Sequence, residues 1–114
     1  MKSQNILCQD ILTRIAMIQQ FTSEGETSFM ADIRTQEAVI RCFEVIGEAV
    51  KRLDPELTAL QPQIPWSAYA GFRDVLIHQY DKIQIVKVWE AVQDDLTPLQ
   101  QATQILLDHL SNRG

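Results

Sequence analysis

Residues 32–53 carry two apolar sets at helical spacing: Ile33, Ile40, Phe43, Gly47 and Val50 on one line, Val39, Cys42, Ile46 and Ala49 on the next. A helix with so broad a stripe cannot be satisfied by one neighbour. It requires a place inside a bundle, with its own chain covering one side and a partner subunit expected on the other. Gly47 would let a backbone approach closely there.

The rest of the chain repeats the same period. Leu7, Ile11, Ile15 and Ile18 predict a helix over about 4–21, ended by the polar run 22-TSEGET-27 with Gly25 at the break. In 54-DPEL-57, Asp54 can cap and Pro55 can occupy the first position of a short turn, where its missing amide hydrogen costs nothing. The same logic at 65-PW-66 starts a third helix reaching about Ile77. A fourth begins near Ile85 and continues through Trp89, Val92, Leu96, Leu99, Leu106 and Leu110. Pro98, preceded by a potential cap in Thr97, marks either a kink or a restart in it. No strand period and no internal repeat is present. Short loops favour antiparallel neighbours, so the expected fold is all-α, an up-down bundle of four to five helices. With 114 residues it forms one domain, spanning 1–114.

Charge narrows the choice of partners. A net charge of −5 leaves no global basic field to attract nucleic acid, so any RNA contact has to be local. Cys8 and Cys42 lack CxxC spacing and read as buried thiols in a reducing compartment. The N-terminus has no apolar signal region, and no run approaches the ~18 apolar residues that span a bilayer. A cytoplasmic location without membrane contact is expected.

Chemistry concentrates in 71-GFRDVLIHQYDKI-83. Asp74 lies four residues before His78, so on a helix it can orient the imidazole and favour its charged form. Arg73 is five residues before His78, about 140° around a regular helix, and shares that face only if the helix unwinds. A protonatable imidazole with a fixed cation suits phosphodiester cleavage: His78 would move a proton at the ribose 2′-oxygen or the leaving 5′-oxygen while Arg73 stabilises phosphate charge. No metal or other cofactor is required. One histidine supplies either a base or an acid, and a symmetric dimer would supply both. The plainer alternative is that Arg73 and Asp74 are surface charges and His78 complements the helix dipole. Spacing leaves both open.

Other polar and aromatic residues read more simply. His109 fits a surface position in the last turn of the last helix. The pair Asp74/His78 is too few ligands for zinc. Trp66, Tyr69 and Trp89 could stack bases but suit a core better. Glu48 requires a cationic partner if buried, for which Arg73 and Lys51 are candidates, or else a surface location.

The string 73-RDVLIHQY-80, an R-x4-H-x-Y pattern, follows 44-EVIGEAVKRL-53 and 65-PWSAYAGF-72 and precedes Trp89. This set resembles the HepT toxins of the HEPN superfamily over roughly positions 4–110. The resemblance implies a HEPN-type bundle that forms a homodimer, the two R-x4-H motifs making one metal-independent ribonuclease site. Arg73 and His78 would be catalytic, Asp74 supporting. It also implies a minimal nucleotidyltransferase antitoxin that inactivates the toxin by transferring AMP to Tyr80, and an RNA substrate, with tRNA one candidate. A non-catalytic HEPN scaffold serving a nucleotidyltransferase is the alternative. In an acidic chain, binding a polyanion would fall to local cations such as Lys51, Arg52, Lys82 and Lys87.

Overall fold

In the computed structural model, residues 3–78 and 85–112 are described, the side chains of 73–78 excepted. Seven helices and no strand occur among them: α1 Gln4–Phe21, α2 Glu26–Ala31, α3 Ile33–Arg52, α4 Pro55–Thr58, α5 Trp66–His78, α6 Ile85–Asp94 and α7 Leu96–Asn112. The all-α expectation holds, with four long layers: α3 packs between α1 and α5, and α7 lies against α1.

Local chemistry sets the ends of α1. The Ser3 hydroxyl accepts from the Ile6 amide at its start, and at its end Thr22 Oγ1 donates to the Ile18 carbonyl at 2.7 Å. Its anticipated stripe of Leu7, Ile11, Ile15 and Ile18 is buried, each side chain contributing about 2 kcal/mol relative to exposure. Gln4 ties this end to the far end of α3, donating to the Arg52 carbonyl at 3.2 Å and accepting from the Asp54 amide at 2.8 Å. The start of α1 therefore meets the end of α3, and those two helices run antiparallel.

Four expectations need correction. The polar run after α1 is not one long loop: Gly25, with φ of +93°, turns the chain and its carbonyl accepts from the Phe29 amide to begin α2. Phe29 then anchors that short helix in the core against Trp89, ring centroids 5.1 Å apart. The interruption in the last helix is a restart, displaced to Asp95, whose amide donates to the Ala91 carbonyl while its own carbonyl accepts from Leu99. Pro98 sits within the first turn of α7, where no intrahelical donor is required. Asp54 stands at the cap position of α4, yet its side chain makes no capping hydrogen bond; the backbone carbonyl does that work, accepting from Leu57 and Thr58.

The fourth correction concerns the broad stripe of α3. Val39, Ile40, Cys42, Phe43, Ile46, Gly47, Ala49 and Val50 are all buried within the single chain, because α1 covers one side and α5 the other. Only Ile33, at the helix start, remains largely exposed, at 69%. That stripe is therefore not available to a partner subunit.

Candidate active site

Helix α5 packs on α3, where the Phe72 ring meets Phe43 edge-on at 5.4 Å, and its Tyr69 is buried. Its entrance is held by Trp66, whose indole Nε1 donates to the Gln61 carbonyl at 3.0 Å. Trp66 is partly buried, and both Tyr69 and Trp89 belong to the core, so none of the three is an open stacking platform.

Because α5 continues to His78, its register can be followed through the motif. Positions 67, 71, 74 and 78 fall on one line by helical spacing. Ser67 and Gly71 on that line are exposed, and a Cβ at Gly71 would meet nothing within 4 Å. Asp74 and His78 fall on that same line by register, because α5 runs as a helix to His78. Position 73 falls in line with Trp66 and Tyr69 by register, the offset from His78 that five residues give on a regular helix. Tyr80 lies outside the described residues, as does Lys82.

The surroundings are more acidic than expected. A groove of about 390 Å³ between α5 and α6 is lined by Ala68, Phe72, Lys87, Glu90, Ala91, Asp94 and Asp95. Lys87, expected to help frame an RNA path, is there the one cation beside three carboxylates. Burial, and then the neighbouring Asp94 charge, push the Asp95 carboxyl above the ordinary range. Burial, reinforced by Asp95, pushes the Tyr69 phenol up to about 12. Lys51 and Arg52 lie in the last turn of α3, where Arg52 Nη2 pairs with Glu48 at 2.9 Å. Glu48 thus pairs with a cation one turn along its own helix.

His109 and the two cysteines sit as read. His109 is exposed in the last turn of α7. Cys8 and Cys42 are buried and free, burial pushing the Cys8 thiol up to about 11. Among the described residues no three His, Cys, Asp or Glu side chains gather as a metal-binding set. None of the described helices is long and apolar enough to cross a membrane.

Comparison with known proteins bears on the same segment. The family model described as "Ribonuclease HepT-like" matches residues 11–106, which contain the whole R-x4-H-x-Y string. The chain is 38% identical over 100 residues to "Probable ribonuclease HepT" of Thermococcus cleftensis, covering 87% of this chain and 91% of that protein. It is 44% identical over 84 residues to a protein of Methanocaldococcus jannaschii described as a candidate RNase, covering 73% and 69% respectively. A second such protein of that archaeon is 34% identical over 105 residues, covering 91% and 90%. No solved structure matches at comparable stringency.

Proposed function

The chain belongs to the HepT-like ribonuclease family, and from that premise we propose that it is the RNA-cleaving toxin of a pair whose antitoxin is a minimal nucleotidyltransferase. The observation that carries this reading is the family match across 11–106, with Arg73, Asp74, His78 and Tyr80 all present inside it.

His78 takes the proton of a ribose 2′-OH as that oxygen attacks the adjacent phosphorus. The bond from phosphorus to the 5′-oxygen breaks, and the leaving oxygen receives a proton from the partner subunit's His78, leaving a 2′,3′-cyclic phosphate and a 5′-hydroxyl. Arg73 stabilises the charge that builds on the phosphoryl oxygens, and Asp74, one turn before His78, orients its ring. The reaction needs a homodimer and no metal. tRNA is a candidate substrate. AMP on Tyr80, two residues past the base, adds phosphate charge and bulk that repel RNA and fill the site.

The acidic lining between α5 and α6 favours a second reading, a non-catalytic scaffold for the nucleotidyltransferase. Cleavage separates the two. Purified protein is expected to cut RNA with EDTA present, and His78→Ala to lose that activity; equal cutting by the variant would refute the catalytic assignment. After co-expression with the nucleotidyltransferase, intact mass should rise by one or more AMP units and Tyr80→Phe should prevent the rise.

A further inference from the structure

The groove between α5 and α6 carries its chemistry in a definite order. Asp95, just past the end of α6, is close enough for its charge to act on the Tyr69 phenol in the first half of α5, so the two helices run antiparallel along the groove. Its near end is therefore the one where residues 79–84 join them. Lys87, exposed and two residues into α6, stands at that end. Phe72 and Ala91 follow as an apolar floor with Glu90 beside them, and Ala68, Asp94 and Asp95 close the far end. From Lys87 to Asp94 the helix advances about 10 Å.

That order selects among ligands. A strand of RNA would bring a phosphate at every step, and only the first would meet a cation. A polyamine suits the carboxylates but would set an ammonium against Lys87. A nucleoside 5′-monophosphate matches the whole series. Its phosphate meets Lys87, its base meets the Phe72 ring and the Ala91 methyl, and its ribose hydroxyls and exocyclic amine are donors for carboxylates that, when ionised, only accept.

We propose, resting on the reading of Tyr80 given above, that the α5/α6 groove is the seat of the adenylate carried by Tyr80, with Lys87 neutralising its phosphate, Phe72 and Ala91 receiving the adenine, and Glu90 and Asp94 accepting from ribose and amine. In the transfer, the phenolic oxygen bonds to the α-phosphorus of ATP, the bond from that phosphorus to the bridging oxygen breaks, pyrophosphate leaves and the phenolic proton passes to solvent. Tyr80 is two residues past the end of α5, within about 7 Å of chain, so the new phosphodiester comes to the groove at its Lys87 end. The nucleoside then runs toward Asp94. Held in this way, the adenylate is a fixed block beside the R-x4-H motif and is shielded from hydrolysis.

Shielding supplies the test. Full-length protein adenylylated by co-expression with the nucleotidyltransferase is treated with a 5′-nucleotide phosphodiesterase, and loss of AMP is followed by intact mass. Lys87→Ala and Glu90→Gln change exposed side chains, and melting by circular dichroism verifies their fold. Each is expected to lose AMP roughly tenfold faster than wild type, the effect of one charge-assisted contact. Equal rates overturn the proposal. Free AMP forms the second arm, titrated into Tyr80→Phe while amide NMR resonances of Lys87 and Ala91 are followed. Shifts that Lys87→Ala abolishes show that the groove takes the free nucleotide too, whereas faster removal without such shifts assigns it to the tethered group alone. If the wild type gains no mass, the modification reading fails and the titration alone decides the groove: shifts keep it as a nucleotide site, and their absence overturns it. A response of these amides to spermidine and not to AMP, in a protein whose variants lose AMP no faster, overturns it as well.

Discussion

Thr103 offers a sharp test of the packing described above. It lies on the buried stripe of α7 with Leu96, Leu99 and Leu106, is 0% exposed, and its hydroxyl has no hydrogen-bond partner among the described residues. A buried hydroxyl left without a partner costs about 1–3 kcal/mol. Thr103→Val removes the oxygen and keeps the branched shape, adding a methyl worth up to about 0.8 kcal/mol where it fits. Allowing for imperfect fit, the variant should gain about 1–2 kcal/mol. For a chain of this length that corresponds to a rise in Tm of roughly 4–8 °C.

Two companions make the argument specific to the oxygen. Thr103→Ser keeps the unpaired hydroxyl and loses a methyl, and should fall about 1 kcal/mol below wild type. Thr103→Ala loses both, so the two effects oppose and the result should lie within about 1 kcal/mol of wild type. The expected order of stability is Val first, Thr and Ala together, Ser last. Melts are to be compared at one protein concentration, since the proposed homodimer would make Tm depend on it. A Val variant no more stable than wild type would refute the reasoning, because it would mean that the hydroxyl is satisfied in the folded chain.

Phe29→Ala should cost about 3–5 kcal/mol and redden the tryptophan emission, since Trp89 loses the ring beside it; unchanged emission with an unchanged unfolding midpoint would deny α2 its anchoring role. Gln4→Ala removes both bonds between the start of α1 and the end of α3 and should lower urea stability by about 1 kcal/mol, an effect absent if water replaces them without loss. The raised Asp95 pKa means that ionisation is penalised in the folded chain, so this group's contribution improves as pH falls through its folded value and is lost as pH rises above the ordinary carboxylate range. Asp95→Asn, which keeps the size of the side chain without its charge, should therefore stabilise the protein at neutral pH, with the benefit vanishing in acid; a benefit constant with pH would remove burial and Asp94 as the cause.

Helical periodicity made the long elements legible because it persists over several turns in α1, α3 and α7. The six residues of α2 hold one buried anchor, Phe29, too few to display a period, and Gly25 looked like a break when it is a turn into the next helix. The doubly apolar face of α3 was visible, but whether its second side meets a copy or the same chain depends on α5, which covers it from a distant part of the sequence, Phe72 against Phe43. The helix carrying the proposed catalytic residues was placed correctly, within a residue at each end, and the i,i+4 relation of Asp74 and His78 survives in its register.

The electrostatic setting was the part misjudged, although its signal was present. Lys87, Glu90 and Asp94 are spaced i, i+3 and i+7, one face of α6, so the lysine could have been read as embedded among acids. That face, with Asp95, lines the groove against α5 and opposes any phosphate approaching from its side. For the proposed ribonuclease, RNA must then reach His78 along the other open flank of α5, the line of Ser67 and Gly71. There the side chains are small and neutral, so a strand can come close to the helix backbone without meeting a carboxylate before position 74. Affinity drawn from so few cations should be modest and should weaken with salt only shallowly, because few counterions are released on binding.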